Sequence, residues 1–409
     1  MVDTPPSLES RLPAHNPDTK PMAPEISEIL SRLIGFPTIS RQSNLELLDY
    51  VESLLVPAGI TVRRFSHADG SRANLWATVG PEIDGGIILS GHSDVVPVAG
   101  QGWSSDPFVL RQDEGRWYGR GAVDMKGFVA AAIHAMLNAA GRNLQKPLHL
   151  ALSYDEEVGC LGVRGMIESL AQEPLRPALC LIGEPTGMRI ATGHKGKTAL
   201  RACCQGQEGH SALAPKALNA LHLGAAFLQR LQIRQEELAS NGAQDPAYAI
   251  PYTTIHAGIM RGGEALNIVP GSCEIDFEIR HIAADDPSAI LSNLLRDAET
   301  IVAPHRDRFA GAAIRIETLS GYPGLDTPED SPTVRLVASL LDTNLPTIKV
   351  AYGTEGGLFA EGLDIPVLIC GPGEMTQGHK PDEYVEISQI EKCERFLERI
   401  VDVLGRRHT

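Results

Sequence analysis

Nowhere in the 409 residues do two cysteines stand at Cys-x-x-Cys spacing, and the seven present, at positions 160, 180, 203, 204, 273, 370 and 393, are odd in number and scattered. That excludes a disulfide framework and a thioredoxin-type redox pair, and reads as reduced thiols in a cytoplasmic protein. Excess positive charge is also missing. Lys and Arg total 36 against 51 Asp and Glu, a formal net charge of −15 with no basic stripe. Neither nucleic acid nor an anionic membrane fits such a chain as partner, whereas a cationic ligand, metal or amine, does. No apolar run approaches a membrane span. The stretch Met1 to Glu25 lacks the basic and apolar segments of a signal peptide, and residues 1–24 are expected to form a flexible leader.

What is present is an ordinary globular composition, 43% hydrophobic, in a chain longer than one typical domain, so two domains are expected. Beyond two helical patterns near Ile26–Ile34 and Leu45–Val56, short apolar runs alternate with helical segments. The runs are Ile60–Val62, Asn74–Val79, Ile87–Ser90, Leu148–Ser153 and Ala178–Ile182; the clearest helix is Met125–Ala140. That alternation implies an α/β fold with a mostly parallel sheet. Residues 194–318 follow another rule. Strands at 198–205, 253–260, 271–281 and 312–318 and helices at 219–238 and 287–302 give the order β-α-β-β-α-β, a ferredoxin-like unit. Its strand 271–281 alternates Cys273, Ile275, Phe277 and Ile279 with Glu274, Asp276, Glu278 and Arg280, as an antiparallel sheet covered on one face requires. Since the first style returns afterwards, the unit is expected to be inserted between 25–193 and 319–409.

The chemistry-bearing residues follow the strands of the larger unit. Ser90-Gly91-His92-Ser93-Asp94 comes after one, Asp155-Glu156-Glu157 after the next, Gly183-Glu184-Pro185-Thr186 after a third, and a loop reaching His379 after Val367–Ile369; Asp124 sits just before the Met125 helix. In open α/β sheets the carboxyl ends of the strands share one crevice, so His92, Asp124, Glu157, Glu184 and His379 are expected to converge. Two imidazoles and three carboxylates suit a pair of divalent ions, Zn²⁺ first, with one carboxylate bridging. Consecutive side chains of an extended segment face opposite ways, so Glu156 and Glu157 can hold two roles, ligand and base. By the same geometry the Asp94 carboxylate can accept the second N–H of the His92 ring.

Those segments, with Gly121-Ala122-Val123-Asp124-Met125-Lys126-Gly127, Gly209-His210-Ser211 and Gly378-His379-Lys380-Pro381-Asp382, resemble the M20 family of dinuclear zinc amidohydrolases. The resemblance covers nearly all the chain after the leader and is strongest to the acetylornithine deacetylase branch; succinyl-diaminopimelate desuccinylase and glutamate carboxypeptidase are relatives. It implies a zinc-peptidase-like catalytic domain with an inserted dimerisation or lid domain, two Zn²⁺ per subunit with Co²⁺ a substitute, and a homodimer acting on a small N-acyl amino acid. Asp124 becomes the bridging ligand, with His92 and Glu184 on one ion and Glu157 and His379 on the other. Glu156 becomes the general base and Asp94 the support of His92. His210 reaches the partner's active site, and Asn267 and Arg280 hold the substrate carboxylate, although Arg280 has an alternative partner in a Glu of its own sheet face. Tyr352-Gly353-Thr354-Glu355 resembles the acetylornithine branch, and an acid at Glu355 beside the pocket favours a substrate with a side-chain amine.

Overall fold

The computed structural model describes residues 23–406 apart from Leu175. The leader expected at 1–24 therefore lies outside the described residues except for its last two. A nine-stranded mixed sheet forms the centre of the larger unit. Its path runs Thr61–Ser66, Ala73–Val79, Leu148–Ser153, Ile87–His92, Leu179–Pro185, Val367–Gly371, Ala191–His194 and Leu325–Asp326, and Ile348–Val350 pairs with Ala191–His194 off that path. The four strands from Leu148–Ser153 to Val367–Gly371 are mutually parallel, and antiparallel pairs flank them. Strands covered on both faces read as continuous apolar runs. Accordingly every residue of Ile87–His92 and of Leu179–Pro185 is buried.

One face is covered by the helices Ile26–Ile34, Gly127–Ala139 and Ile387–Leu404, in a single apolar cluster with the sheet. Alanines at 130, 131, 132, 135 and 139 let the Gly127–Ala139 helix lie close to its neighbours. The approach is closest at Gly183, where a Cβ would fall 2.0 Å from the Phe128 ring, so only glycine fits. The helix expected from Met125 begins at Gly127 instead. Residues 122–126 make a tight irregular turn in which Asp124 leaves helical geometry, at φ −123° and ψ 91°. Gly121 enters that turn at φ +82°. Helical periodicity cannot reveal such a turn, because its residues are as buried as a helix face.

The inserted unit shows the expected order of elements. Its four strands, Thr254–Gly262, Ser272–His281, Gly196–Gln205 and Ala313–Tyr322, pair antiparallel in that spatial order. The helices Ala220–Asn241 and Pro287–Val302 cover one face, their Phe227 and Leu294 clustering with Leu200, Ile275 and Phe277 of the strands. Both helices start on side-chain caps, Asn219 accepting from Leu221 N and Asp286 from Ser288 N. Burial along Ser272–His281 alternates as the sequence pattern demands. Three strands exceed their expected lengths: the first starts at Gly196, the second runs on to Gly262, and the last runs through Tyr322, past 318. Those extra residues matter, because Lys197 and Tyr322 lie there. Among the described residues, no helix is long and apolar enough to cross a membrane.

Candidate metal centre

The carboxyl ends of the parallel strands deliver their acids and imidazoles to one point. His92 ends the Ile87–His92 strand, Glu184 lies near the end of Leu179–Pro185, and the acidic triplet follows Leu148–Ser153. Asp124 stands between two imidazoles. Its Oδ1 is 3.1 Å from His92 Nε2 and its Oδ2 3.0 Å from His379 Nε2. Glu184 Oε1 lies 3.6 Å from His92 Nε2, and the Glu157 oxygens lie 3.1 and 3.2 Å from His379 Nε2. Ligand atoms of His92, Asp124 and Glu157, and again of His92, Glu156 and Glu184, fall within 4.8 Å of one another; among the described residues these are the two groups that could hold a metal ion.

His92 is oriented differently from the expectation. Its Nδ1 lies 2.8 Å from the backbone carbonyl of Asp94, while the Asp94 carboxylate is 3.7 Å away. The carbonyl therefore takes the Nδ1–H and leaves Nε2 free to ligate. The carboxylate has stronger claims on it: it accepts from Ser40 Oγ at 2.7 Å and from the amides of Glu156 and Glu157 at 3.0 and 3.4 Å. Asp94 thus ties the acidic loop to the His92 strand. Asp155, which has no clear task in the sequence, is an anchor too, accepting from the Arg41 amide at 2.6 Å and from the Arg72 guanidinium. Glu156 has a thiol partner, Cys160 Sγ, 3.3 Å from its Oε1.

The electrostatics fit a site built for cations. Burial pushes Glu184 and Glu156 well above the usual carboxylate range, and the charges of Asp124 and Glu157 respectively add to it. Glu157 is raised to about 7 by burial and by Asp124. His379 rises to about 10 on its bonds to Asp124 and Glu157. Burial opposes charge on His92, yet Asp124 and Glu184 outweigh it and hold the imidazole well above its ordinary value. Without a cation such a cluster must keep protons that divalent ions would displace. No Lys or Arg forms an ion pair with Asp124, Glu156, Glu157 or Glu184 among the described residues. Two nitrogens and three carboxylates, one with its two oxygens turned to different imidazoles, match the donor set of a bridged pair of zinc-like ions.

The acids form one wall of a cavity of about 210 Å³ whose other wall belongs to the inserted unit. Arg280, Lys197 and Tyr322 stand side by side there, Lys197 being register partner of both others on adjacent strands. Arg280 takes the alternative partner noted above: its Nε is 3.0 Å from Glu278 Oε1, and its Nη1 donates to Tyr322 OH at 2.9 Å. Lys197 has only a 3.4 Å approach to Glu278 Oε2. Four other residues expected to act on substrate lie elsewhere in this chain. Glu355 is 2% exposed and does not line the cavity. It begins the Gly356–Leu363 helix, and burial raises it to about 7 against the partial relief of Ser153. Thr354 is fully buried and accepts from the Gly356 amide at 2.9 Å. The helix start turns both side chains inward, so the acid expected beside the pocket sits beneath it. His210 and Asn267 are exposed and share a distant tip, where Gly209–His210 pairs with Ile268–Val269. Lys197, Tyr322 and Cys160 escaped the sequence reading; only the alternation that placed Arg280 could have pointed to the first two, had the strands been drawn to full length. A larger cavity, about 320 Å³, lies by Trp76 and His149 toward the opposite strand ends and holds no such cluster.

The model of peptidase family M20/M25/M40 matches residues 88–403. The chain is 32% identical over 388 residues to the acetylornithine deacetylase of Proteus mirabilis (strain HI4320), covering 93% of this chain and 96% of that protein. To the acetylornithine deacetylase of Pasteurella multocida (strain Pm70) it is 33% identical over 387 residues, with 92% and 97% covered. Among solved structures, an M20 family metallo-carboxypeptidase from Sulfolobus solfataricus superposes with a TM-score of 0.76 at 19% identity, covering 93% of this chain and 99% of that one. A dinuclear metal-binding M20 peptidase from Bacillus subtilis gives 0.66 at 16%, covering 93% and 97%. With the family pattern spanning the strand-end acids and both imidazoles, the chain belongs to peptidase family M20/M25/M40 and is a hydrolase.

Proposed function

We propose that the protein hydrolyses the amide bond of an N-acyl-L-amino acid, N-acetyl-L-ornithine first among them, releasing the carboxylic acid and the free amino acid. The observation that carries this reading is Asp124, whose two oxygens are directed to two different imidazoles inside a ring of buried carboxylates. His92, Asp124 and Glu184 would hold one divalent ion, and Asp124, Glu157 and His379 the other. Such ions, zinc first, supply Lewis acidity and lower the pKa of water from 15.7 to about 7. The remaining steps fall to the chain. Glu156 takes the proton of the attacking water on its free carboxylate oxygen while the Cys160 thiol occupies the other. It then returns that proton to the leaving nitrogen.

The cationic wall, Arg280 and Lys197, receives the substrate carboxylate opposite the acids. His210 and Asn267 act on the cleft of a second copy in a homodimer. Support for that comes from their place on an exposed tip whose apolar residues, Leu213, Leu266 and Ile268, are 53%, 101% and 42% exposed. Seven free cysteines accord with a cytoplasmic setting. Because Glu355 lies under the cavity, the preference for ornithine rests on the likeness to the relatives, and acetyl-citrulline or acetyl-methionine would meet the same walls. A hydrolysis panel with zinc- or cobalt-loaded protein tests the proposal, using N-acetyl-L-ornithine, N-acetyl-L-citrulline, N-acetyl-L-methionine and N-succinyl-diaminopimelate. Turnover of the acetyl compounds is expected; preference for the succinyl substrate overturns the deacylase reading in favour of a desuccinylase.

A further inference from the structure

The two halves of the metal centre are mounted in different ways. His92 and Glu184 lie on central strands, with side chains 1% and 4% exposed. His379 lies on a loop, at φ +59°, with its side chain 47% exposed. A ligand so placed needs something to hold it.

The segment that follows His379 supplies a clamp. Glu383 and Arg120 are each 1% exposed and form an ion pair beneath the site. The second carboxylate oxygen of Glu383 accepts from the amides of Val123 and Asp124, at 3.1 and 3.2 Å, and so grips the irregular turn that aims the bridging acid. Arg120 lies over the Trp103 ring and donates through Nη2 to Gln101 Oε1 at 2.6 Å. Gln101 returns to the ligand loop, its Nε2 donating to the His379 carbonyl at 3.3 Å. The circuit is therefore closed: Asp124 amide, Glu383, Arg120, Gln101, His379 carbonyl. A buried ion pair is weak evidence of stabilisation, since desolvation offsets most of its attraction, but it fixes geometry where its hydrogen bonds end. Here they end on the backbone of two ligands.

We infer that Glu383, Arg120 and Gln101 are positioning residues for the His379 half of the centre, so that the two ions load with unequal affinity, the strand-mounted half first. This rests on the two-ion reading above. Chelator-stripped full-length protein titrated with Zn²⁺ in a calorimeter, and with Co²⁺ followed by its visible absorption, should show two binding events. Loss of an outer hydrogen-bond partner typically weakens a metal site about 10–100-fold; because Glu383 also grips the turn of Asp124, which both ions share, Glu383→Ala should weaken both events, the second by that full factor and the first by less. Glu383→Gln, which keeps an oxygen for the two amides, should fall between Glu383→Ala and wild type. Removing a partner of the buried pair can impair folding, so Gln101→Ala is the second probe: only partly buried, it should weaken the second event by about tenfold with an unchanged apo-protein melting curve. Equal weakening of both events, or no change in either, overturns the inference. A wild-type chain that takes up no ion removes the two-ion reading itself, and this inference with it.

Discussion

Replacing Glu156 with Gln separates proton transfer from metal holding. The side chain lines the cavity beside Asp124, Glu157 and Glu184 and accepts from the Cys160 thiol at 3.3 Å. Gln has nearly the same shape, keeps an oxygen for that thiol and cannot take a proton. Burial already pushes Glu156 well above the usual carboxylate range, so a neutral amide should fold at least as well, and the melting temperature of the metal-free protein should hold or rise. General acid–base catalysis contributes about 10²–10⁴-fold, and kcat should fall by that factor, roughly 3–5 kcal/mol of barrier. The assay is initial-rate hydrolysis of N-acetyl-L-ornithine, or the best substrate of the panel, with metal content measured on the same preparation. Activity within about tenfold of wild type at full metal content would refute the role given to Glu156. Loss of the metal together with activity would make it a ligand instead.

Other perturbations test other parts of the account. His194 is fully buried; its Nδ1 lies 2.9 Å from the Lys195 carbonyl and its Nε2 accepts from the Gly357 amide at 3.2 Å. Burial accordingly lowers it from 6.5 to about 4, against a partial rise from the Lys195 bond. A lowered histidine contributes stability that is full above pH about 6.5 and is lost as pH falls toward 4, at most about 3 kcal/mol here. Denaturant unfolding of wild type and His194→Gln across that window should show the difference between them shrinking with acid, and parallel curves would refute it. Lys197→Met should raise KM for N-acetyl amino acids by about tenfold with little change in kcat, the signature of lost uniform binding; an unaltered KM places the substrate carboxylate elsewhere. Gly183→Ala sets a methyl into the Phe128 ring and should destabilise by about 3 kcal/mol in chemical denaturation; a neutral result would mean the helix can move away from the sheet.

The parts of the site that the sequence revealed are those tied to strand ends. His92, Glu157 and Glu184 follow apolar runs of unmistakable length, and a parallel sheet has one edge at which they can end, so their meeting needed no knowledge of contacts. The alternation from Cys273 to Arg280 likewise fixed which side chains face out. What stayed hidden depends on directions that periodicity does not encode. Glu355 reads as an acid beside a pocket, yet the start of its helix turns it beneath the site. Asp94 stands at the right spacing to receive the His92 ring, but three other donors claim its carboxylate and its carbonyl serves instead. Lys197 was missed because the strand begins earlier than its apolar pattern. Glu383 lies one residue past the Gly378–Asp382 segment that carries His379, and its grip on the Asp124 amide joins positions 259 residues apart.

The central claim is that Asp124 bridges two ions. Metal content by mass spectrometry, after equilibration with Zn²⁺ and removal of free ion, tests it directly when wild type is compared with Asp124→Asn. The account predicts two equivalents per chain for wild type and at most one, weakly held, for the variant. A wild-type chain that retains no divalent ion, or an Asp124→Asn chain that keeps both, would contradict it.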